Sequence, residues 1–300
     1  MMTNKKLIYI AGPTGIGKTE LSIKIAKKLK TEIISCDSRQ FYKELKIGTS
    51  PPSIEQLDKV KHHFIHHKSI HDDYNVRKFE NEAINLINNL FLKYDNLILV
   101  GGSGLYADSI LYGIDEFPDI PISIKNMISE KYKENGIEYL QNKIKKLDPE
   151  FYRKVDKNNS RRLIRALEVI ESSGKSFTFF RKAYVKERTF SKKIIILDCD
   201  REILYSKIDK RVDMMINDGL ENEVFYLKKF KNLNTLNTVG YKEFINYFEN
   251  KISYKEAVEK IKQNTRNYAK RQITWNNKYS DAKKIDMNEN IITNIDKILQ

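Results

Sequence analysis

The chain has 300 residues, of which 40% are hydrophobic and 31% charged, and its formal net charge is +14 at pH 7. This composition excludes a disordered protein, and the lack of any apolar run of ~20 residues excludes a membrane-spanning helix. Two cysteines, Cys36 and Cys199, offer neither a disulfide framework nor zinc spacing. We therefore expect a cytoplasmic, monomeric protein with no membrane partner and no signal peptide, built as one large domain or as a core with an inserted domain.

The positive charge lies mainly in the later part of the chain. Residues 1–115 hold 16 of the 54 Lys and Arg residues and 13 of the 40 Asp and Glu residues, so most of the excess lies beyond them. Such an excess favours a polyanionic partner such as a nucleic acid. The alternative is the lysine bias of an AT-rich genome, which adds charge without any partner.

A strand, a glycine-rich loop and a helix open the chain. Residues 6–11 are typical of a short buried strand, and residues 20–29 carry apolar side chains at helical spacing. The loop between them fits the pattern G-x-x-x-x-G-K-[ST], in which backbone N–H groups and a lysine bind phosphates at the positive end of the helix. We predict a diphosphate-binding segment, called the phosphate loop below, made of Gly12, Pro13, Thr14, Gly15, Ile16, Gly17, Lys18 and Thr19.

Strands and helices continue to alternate after the phosphate loop. Residues 31–36 and 96–100 are predicted strands, and residues 76–93 form an amphipathic helix. This alternation favours an α/β fold, a P-loop NTPase-like parallel sheet flanked by helices. The segments that follow the strands, at 37–40 and 101–104, should lie beside the phosphate loop at the carboxyl edge of the sheet, where such folds bind ligands.

The character of the sequence changes at residue 118. Residues 118–190 are predicted to form an inserted all-helical domain, because helical spacing continues there between polar turns. Strand character returns at 193–198, so the core should comprise residues 1–117 and 191–300. The remainder of the core is predicted to be helical, and a capping box at 253–256 begins its last long helix.

Two acidic residues and a histidine-rich segment are open to more than one interpretation. Asp37 follows a strand beside the phosphate loop, where a carboxylate can hold Mg²⁺, accept a proton from a nucleophile, or cap a turn. Asp198 ends an apolar strand, either as a magnesium ligand or as the polar end of an inner strand. All five histidines lie within residues 62–71, which is more typical of a surface or site-rim segment than of a metal site.

Two helical segments carry basic residues in patterns that suit a nucleic acid. In residues 160–172, Arg161 and Arg165 lie opposite the apolar face, either as solvated side chains or as phosphate contacts. In residues 265–275, basic side chains are interspersed with Tyr268 and Trp275. That mixture suits an unpaired nucleic-acid strand, and equally a helix with a buried aromatic face and a basic outer face.

Several short motifs stand in a defined order along the chain. They are the phosphate loop, 34–40 with 47–49, His62 and His63 followed by Asp72 and Tyr74, then 99–106, 165–169, 211–215 with 219–220, 239–243 and 268–275. In combination they closely resemble the tRNA dimethylallyltransferases, also called tRNA isopentenyltransferases, of the bacterial type. Ser103 stands where this family usually has threonine, so the hydroxyl is kept.

The resemblance implies a reaction. The enzyme would transfer a dimethylallyl group from dimethylallyl diphosphate to N6 of the adenosine 3′-adjacent to the anticodon, in tRNAs that read codons beginning with U. The phosphate loop, otherwise of the ATP- and nucleotide-binding type, would hold the diphosphate, with Mg²⁺ as a cofactor bound at Thr19. Asp37 would be the general base, while Lys18, Thr19 and Arg211 would stabilise the departing diphosphate.

The resemblance also implies contacts with the tRNA anticodon stem-loop. The adenosine must leave the anticodon stack, and Ser38 and Gln40 would read its edge. Arg165 and the last motif would hold the surrounding loop. The predicted tRNA-binding residues are Asp37, Ser38, Arg39, Gln40, Ser103, Lys125, Arg161, Arg162, Arg165, Arg266, Lys270, Arg271 and Trp275.

Three other functions use a similar loop. A small-molecule kinase would need ATP, with Asp198 holding its metal, but it has no use for the basic excess. A prenyltransferase acting on free adenine nucleotides does not need a large basic insertion. An RNA-binding regulator with a vestigial loop has no need of an intact set of Lys18, Thr19 and Asp37.

Overall fold

The computed structural model of the chain describes residues 5–182, 185–288 and 291–299. They divide into two compact units. The core unit comprises the chain up to Leu111 and from Glu187 onward, and the insertion unit is Tyr112–Lys186. The sequence predicted both boundaries of the insertion a few residues later, after residues 117 and 190.

The core unit is built on six parallel strands in the order β3-β2-β4-β1-β5-β6. This arrangement confirms the predicted α/β fold. Because every strand is parallel to its neighbours, the loops that follow β1, β2 and β4 all lie at one edge of the sheet. The strands are β1 (Lys6–Ala11), β2 (Ile33–Ser35), β3 (His62–His63), β4 (Asn96–Val100), β5 (Ser191–Asp198) and β6 (Lys283–Asp286).

The centre of the sheet is apolar on both faces. In β1, five consecutive residues from Leu7 to Ala11 are buried, with Ile8 opposite Ile98 of β4 on one side and Lys193 of β5 on the other. Helices cover the two faces, which explains the continuous apolar runs that made β1 and β4 predictable. The helices of the core unit are α1 (Lys18–Leu29), α2 (Ile54–Lys59), α3 (Val76–Leu90), α4 (Gly104–Leu111), α9 (Arg201–Asn217), α10 (Leu220–Leu227), α11 (Tyr241–Phe248), α12 (Tyr254–Asn276) and α13 (Ile291–Leu299).

The two edge strands differ from the prediction. Strand β3 has only two residues and lies in the histidine segment, and β6 lies in the C-terminal stretch that was predicted to be entirely helical. That prediction was wrong because three of the four β6 residues are exposed and only Ile285 is buried. An edge strand with so little burial has no apolar run to reveal it.

The insertion unit is all-helical and has its own apolar core. Its helices are α5 (Ile122–Leu147), α6 (Pro149–Lys154), α7 (Ser160–Ser173) and α8 (Phe177–Phe180). Gly136, at φ 67° and ψ −166°, interrupts α5 near its middle. Buried side chains from the first three helices form the core, among them Ile128, Leu140, Phe151 and Leu163. Within the described parts of the chain, no helix is both long and apolar enough to cross a membrane.

Candidate active site

The phosphate loop lies between β1 and α1, as the sequence predicted. Gly17, with φ of 101°, precedes the first residue of α1, so the amino end of the helix faces the loop. The Lys18 Nζ donates hydrogen bonds to the backbone oxygens of Gly12 at 2.9 Å and Pro13 at 2.8 Å. These bonds hold the ammonium group at the position where a phosphate-binding loop needs it.

Two charged side chains lie within electrostatic reach of Lys18. The pKa of Lys18 is lowered to about 8, mainly by loss of hydration; the carboxylate of Asp37 raises this pKa and the positive charge of Arg211 lowers it. Arg211 is itself influenced by Asp37, which partly offsets the lowering of its pKa by burial. Lys18, Asp37 and Arg211, three of the four predicted catalytic residues, are therefore neighbours, although 193 positions separate Lys18 from Arg211 in the sequence.

Asp37 forms a tight turn just beyond β2. Its backbone N–H donates to Ser35 Oγ at 3.3 Å, and its Oδ1 accepts the backbone N–H of Arg39 at 3.0 Å. The side chain thus caps its own turn and also lies beside the phosphate loop. The capping bond fixes the orientation of the carboxylate, which a general base needs.

The glycine-rich segment after β4 packs against both β2 and α12. The hydroxyls of Ser38 and Ser103 share a hydrogen bond of 2.9 Å, and Ser103 Oγ also accepts the Ser38 backbone N–H at 3.0 Å. A side chain at Gly102 would place its Cβ 2.3 Å from the Gln272 amide nitrogen and 3.6 Å from Asp37 Oδ2. A residue with a side chain at this position would therefore displace the Gln272 amide from its contact with Gly102.

Helix α12 joins the phosphate loop to this segment. Gln272 is buried, its Oε1 accepts the backbone N–H of Thr14 at 2.8 Å, and its Nε2 donates to the Gly102 oxygen at 2.9 Å. The Tyr268 hydroxyl donates to the same oxygen at 3.2 Å. Burial and the Asp37 carboxylate raise the pKa of Tyr268, so the phenol remains a donor. The face of α12 that carries Tyr268 and Gln272 therefore lies against both loops.

Arg211 and Gln40 both bind a short turn that follows β2. The Arg211 Nε donates to Ser50 Oγ at 2.9 Å. The Gln40 Nε2 donates to the backbone oxygens of Thr49 and Ser50 at 3.2 and 3.0 Å. The nitrogen of the Gln40 amide is thus engaged within the protein.

The residues present fit a magnesium ion that arrives with a phosphate ligand. Among the described residues, no group of three or more His, Cys, Asp or Glu is placed to hold a metal by itself. Mg²⁺ bound to a nucleotide or diphosphate takes most of its oxygens from phosphate and water and needs only one or two from protein. The hydroxyl of Thr19, in the first turn of α1, is a suitable protein oxygen.

The predicted tRNA-binding residues of the core unit fall into two groups. Arg39 and Arg266 are engaged within the protein. Arg39 Nη1 donates to the backbone oxygens of Asn234 and Thr235, and Arg266 Nη1 donates to both carboxylate oxygens of Asp209, at 2.6 and 2.7 Å. These two arginines therefore position neighbouring segments, which charge pattern alone does not reveal. The exposed group is Lys270, Arg271 and Trp275.

The remaining predicted tRNA-binding residues lie in the insertion unit. Lys125 is exposed on α5, and Arg161 and Arg162 are exposed on the first turn of α7. Arg165 lies with its guanidinium 5.7 Å from the ring centre of Phe117 and 3.6 Å from Glu168. The apolar face of α7, predicted from the spacing of Leu163, Leu167 and Ile170, is buried.

Comparison with known proteins decides the family. A model of the IPP transferase family matches residues 40–279, which is most of the chain. The chain belongs to the IPP transferase family. A protein of Flavobacterium johnsoniae named tRNA dimethylallyltransferase is 47% identical over 288 residues, covering 94% of this chain and 93% of its own. One of Christiangramia forsetii with the same name is 48% identical and covers 95% and 94%.

Solved structures agree with this assignment to the IPP transferases. The full-length tRNA isopentenylpyrophosphate transferase of Bacillus halodurans superimposes with a TM-score of 0.72 at 32% identity, covering 98% of this chain and 94% of that one. A eukaryotic dimethylallyltransferase solved acting on tRNA gives a TM-score of 0.78 at 28% identity, covering 94% and 74%.

Sequence reasoning missed two residues of this IPP transferase site. Gln272 was included only as part of the motif 268–275, and Glu223 was not noted at all. Both act on backbone groups far away in the chain: Gln272 on Thr14, and Glu223 on the turn that contains Gly48. No local spacing reveals such contacts. The sequence does offer one indication of these residues: Gln272 lies within the motif 268–275, and Glu223 lies just after the motif 219–220.

Proposed function

We propose that the protein transfers the dimethylallyl group of dimethylallyl diphosphate to N6 of the adenosine immediately 3′ of the anticodon, in tRNAs that read codons beginning with U. The observation that carries the proposal is the convergence of Lys18, Asp37 and Arg211 at the carboxyl edge of the sheet. Two cations and a carboxylate are what the transfer of a carbocation-like group from diphosphate to an amine requires. The enzyme acts as a cytoplasmic monomer.

The donor half of the site stabilises the leaving group. As the bond between the allylic carbon and the diphosphate oxygen breaks, negative charge grows on the diphosphate. Lys18, Arg211 and the backbone N–H groups of the phosphate loop are placed to receive that charge, and a single donor of this kind is worth roughly 10²–10³ in rate. Mg²⁺, when bound at Thr19, neutralises further charge on the diphosphate.

The acceptor half of the site prepares the nucleophile. The N6 amine of adenine is weak because its lone pair is delocalised into the ring. As the new bond forms between N6 and the allylic carbon, Asp37 takes a proton from N6, which leaves a neutral secondary amine. The turn at Asp37 keeps the carboxylate aimed at the site through its bond from Arg39.

The adenosine must reach Asp37 outside the anticodon stack. An extruded base is recognised by hydrogen bonds to its edge and by stacking on flat side chains. Ser38 and the Oε1 of Gln40 adjoin Asp37 and supply the polar contacts, and the exposed Trp275 of α12 supplies an aromatic surface. In the core unit, Lys270 and Arg271 hold phosphates of the anticodon stem-loop. The insertion unit has basic residues of its own for phosphates of the tRNA, namely Lys125, Arg161, Arg162 and Arg165.

Transfer of a labelled dimethylallyl group tests the proposal. Labelled dimethylallyl diphosphate is incubated with unmodified tRNA whose anticodon pairs with codons beginning with U, with free AMP as a competitor. We expect label in the tRNA alone, and none in a tRNA carrying guanosine at the position 3′ of the anticodon. Label in AMP but not in tRNA would overturn the proposal in favour of a nucleotide prenyltransferase. Binding of ATP without binding of the prenyl diphosphate would favour a kinase.

A further inference from the structure

The turn at residues 45–50 is held in a strained conformation. Within the turn, Thr49 Oγ1 donates to the Leu45 oxygen at 2.7 Å and the Ser50 N–H donates to the Ile47 oxygen at 2.9 Å. Ser50 has φ of 44°, in the left-handed region that a residue with a side chain seldom adopts. Such a conformation persists only where the surroundings over-determine it, and it is commonest at functional sites.

Glu223, from helix α10, binds three successive backbone N–H groups of this turn. Its Oε2 accepts from Lys46 at 3.0 Å and from Ile47 at 2.8 Å, and its Oε1 accepts from Gly48 at 3.2 Å. Successive N–H groups that converge on one anion form a nest, and hydrogen bonds to a carboxylate are roughly twice as strong as neutral ones. The carboxylate therefore fixes the backbone path of the turn.

Tyr241 secures the carboxylate from the other side. Its hydroxyl donates to Glu223 Oε1 at 2.6 Å, and its ring is fully buried. Burial and the Glu223 carboxylate both raise the pKa of Tyr241, so it keeps its proton and remains a donor. Gly48 lies directly on this ring, since a Cβ there would be 2.5 Å from a ring carbon. Glu223 thus accepts four hydrogen bonds and has one defined position.

The opposite end of the turn holds Arg211. Ser50 accepts Arg211 Nε on its hydroxyl at 2.9 Å and Arg211 Nη2 on its backbone oxygen at 3.4 Å. Gln40 Nε2 donates to the same backbone oxygen at 3.0 Å. Ser50 therefore fixes the position of the Arg211 guanidinium. The conformation of the turn in its own right fixes the position of Ser50.

We infer that Glu223 is a positioning residue of the diphosphate site: it holds the 45–50 turn so that Ser50 fixes the Arg211 guanidinium within reach of Lys18. The inference rests on the proposed function, in which Arg211 stabilises the departing diphosphate. Glu223 itself touches no reacting group. Its effect on the reaction passes through Ser50 to Arg211.

Binding of inorganic pyrophosphate by the full-length chain, measured by titration calorimetry, tests the inference. Glu223→Gln keeps the size of the side chain but removes its charge. The new amide N–H group would face either the backbone N–H groups of the turn or the hydroxyl of Tyr241, where the carboxylate accepted hydrogen bonds. We expect the Kd of pyrophosphate to rise about tenfold, the scale of one lost charge-assisted hydrogen bond. The matched control is Glu221→Gln on the same helix, which makes the same charge change and should leave the Kd unaltered.

A double-mutant cycle separates positioning from general stability. If Glu223 acts through Arg211, Glu223→Gln should change the pyrophosphate Kd less than about twofold once Arg211→Ala is already present. A tenfold effect that persists in the Arg211→Ala background would overturn the inference, as would a wild-type Kd in Glu223→Gln itself. Should Glu223→Gln lower the thermal midpoint too far, Tyr241→Phe, which removes one hydrogen bond to the carboxylate, takes its place in the same cycle.

The outcome can be told apart from a failure of the proposed function. Pyrophosphate binding needs neither prenyl transfer nor tRNA, so the cycle is readable even if the wild-type chain transfers no dimethylallyl group. Transfer by the wild type together with additive effects in the cycle would remove the role of Glu223 and leave the proposed function standing. Where transfer occurs, the same variant should raise the KM for dimethylallyl diphosphate and leave the KM for tRNA unchanged. Loss of folded protein lowers the apparent kcat and leaves both KM values unaltered, so the two effects can be told apart.

Discussion

The side-chain oxygen of Gln272 accepts a hydrogen bond from the backbone N–H of Thr14, which lies 258 residues away in the chain. The side-chain nitrogen of Gln272 donates a hydrogen bond to the backbone oxygen of Gly102. Because one end of the amide must accept and the other must donate, only one orientation satisfies both loops. The Gln272 side chain thereby fixes the distance between the phosphate loop and the glycine-rich segment after β4.

Replacement of Gln272 should loosen the phosphate loop. Gln272→Leu keeps the volume and helical preference but leaves the Thr14 N–H without its partner, and an unsatisfied buried group costs about 1–3 kcal/mol. We expect the Kd of pyrophosphate to rise about 10-fold or more by calorimetry. Gln263→Leu, at an exposed position of the same helix, is the control. Equal affinities in the two variants would contradict the assigned role.

Replacement of Asp37 should separate binding from turnover. Asp37→Asn can still accept the Arg39 N–H, so the turn is kept, but it cannot take a proton from N6. Turnover in the labelled-transfer assay should fall roughly 10²–10⁴-fold, the usual contribution of a general base. Because a negative charge near Lys18 is lost, pyrophosphate should bind at least as tightly as to the wild type. Unchanged turnover would exclude Asp37 as the base.

The pKa of Lys18 predicts an alkaline limit to diphosphate binding. Loss of hydration lowers this pKa to about 8, so the ammonium is charged below that pH and loses its proton as the pH rises through it. Pyrophosphate affinity should therefore weaken above about pH 8 in the free enzyme. Lys18→Arg keeps its charge throughout this range and should lack the step, since the guanidinium pKa exceeds about 12. Identical pH profiles for the two proteins would refute the assignment.

The exposed arginines of α7 should contribute to the salt dependence of tRNA binding. Each phosphate contact releases counterions, so removing one should reduce the slope of log Kd against log salt by about 0.7–0.9. We expect this from Arg161→Gln and from Arg162→Gln, measured by filter binding of the tRNA. Lys154→Gln is the control, because Lys154 lies in the same unit but is paired with Glu150 at 2.8 Å. A slope reduced equally in the control would assign the effect to general charge.

Local patterns predicted the parts of this protein that depend on local chemistry. Strands β1 and β4 were placed to the residue, and the capping box at the start of α12 is present. The phosphate loop lies between β1 and α1 and Asp37 lies just beyond β2, as predicted, because the ends of strands set these positions. Fold and family were both within reach of the sequence.

The remaining features depend on contacts between distant residues. The ion pair between Arg266 and Asp209 joins residues 57 positions apart, and no spacing in the sequence indicates it. Strand β6 is held by pairing with β5 and offers only Ile285 to burial. The order of the strands likewise follows from packing, because the sequence of β5 does not indicate that this strand pairs with β1.

The sheet order also bears on how the chain is made. Strand β1 lies between β4 and β5, and β5 begins only at Ser191, after the whole insertion unit. During synthesis one side of the central strand thus stays unpaired until the ribosome has passed this point, while the insertion unit, a continuous segment with its own core, is complete earlier. An exposed apolar strand is a site for aggregation and for chaperones. We therefore expect the apolar side of β1 to need protection in the nascent chain until β5 has been made.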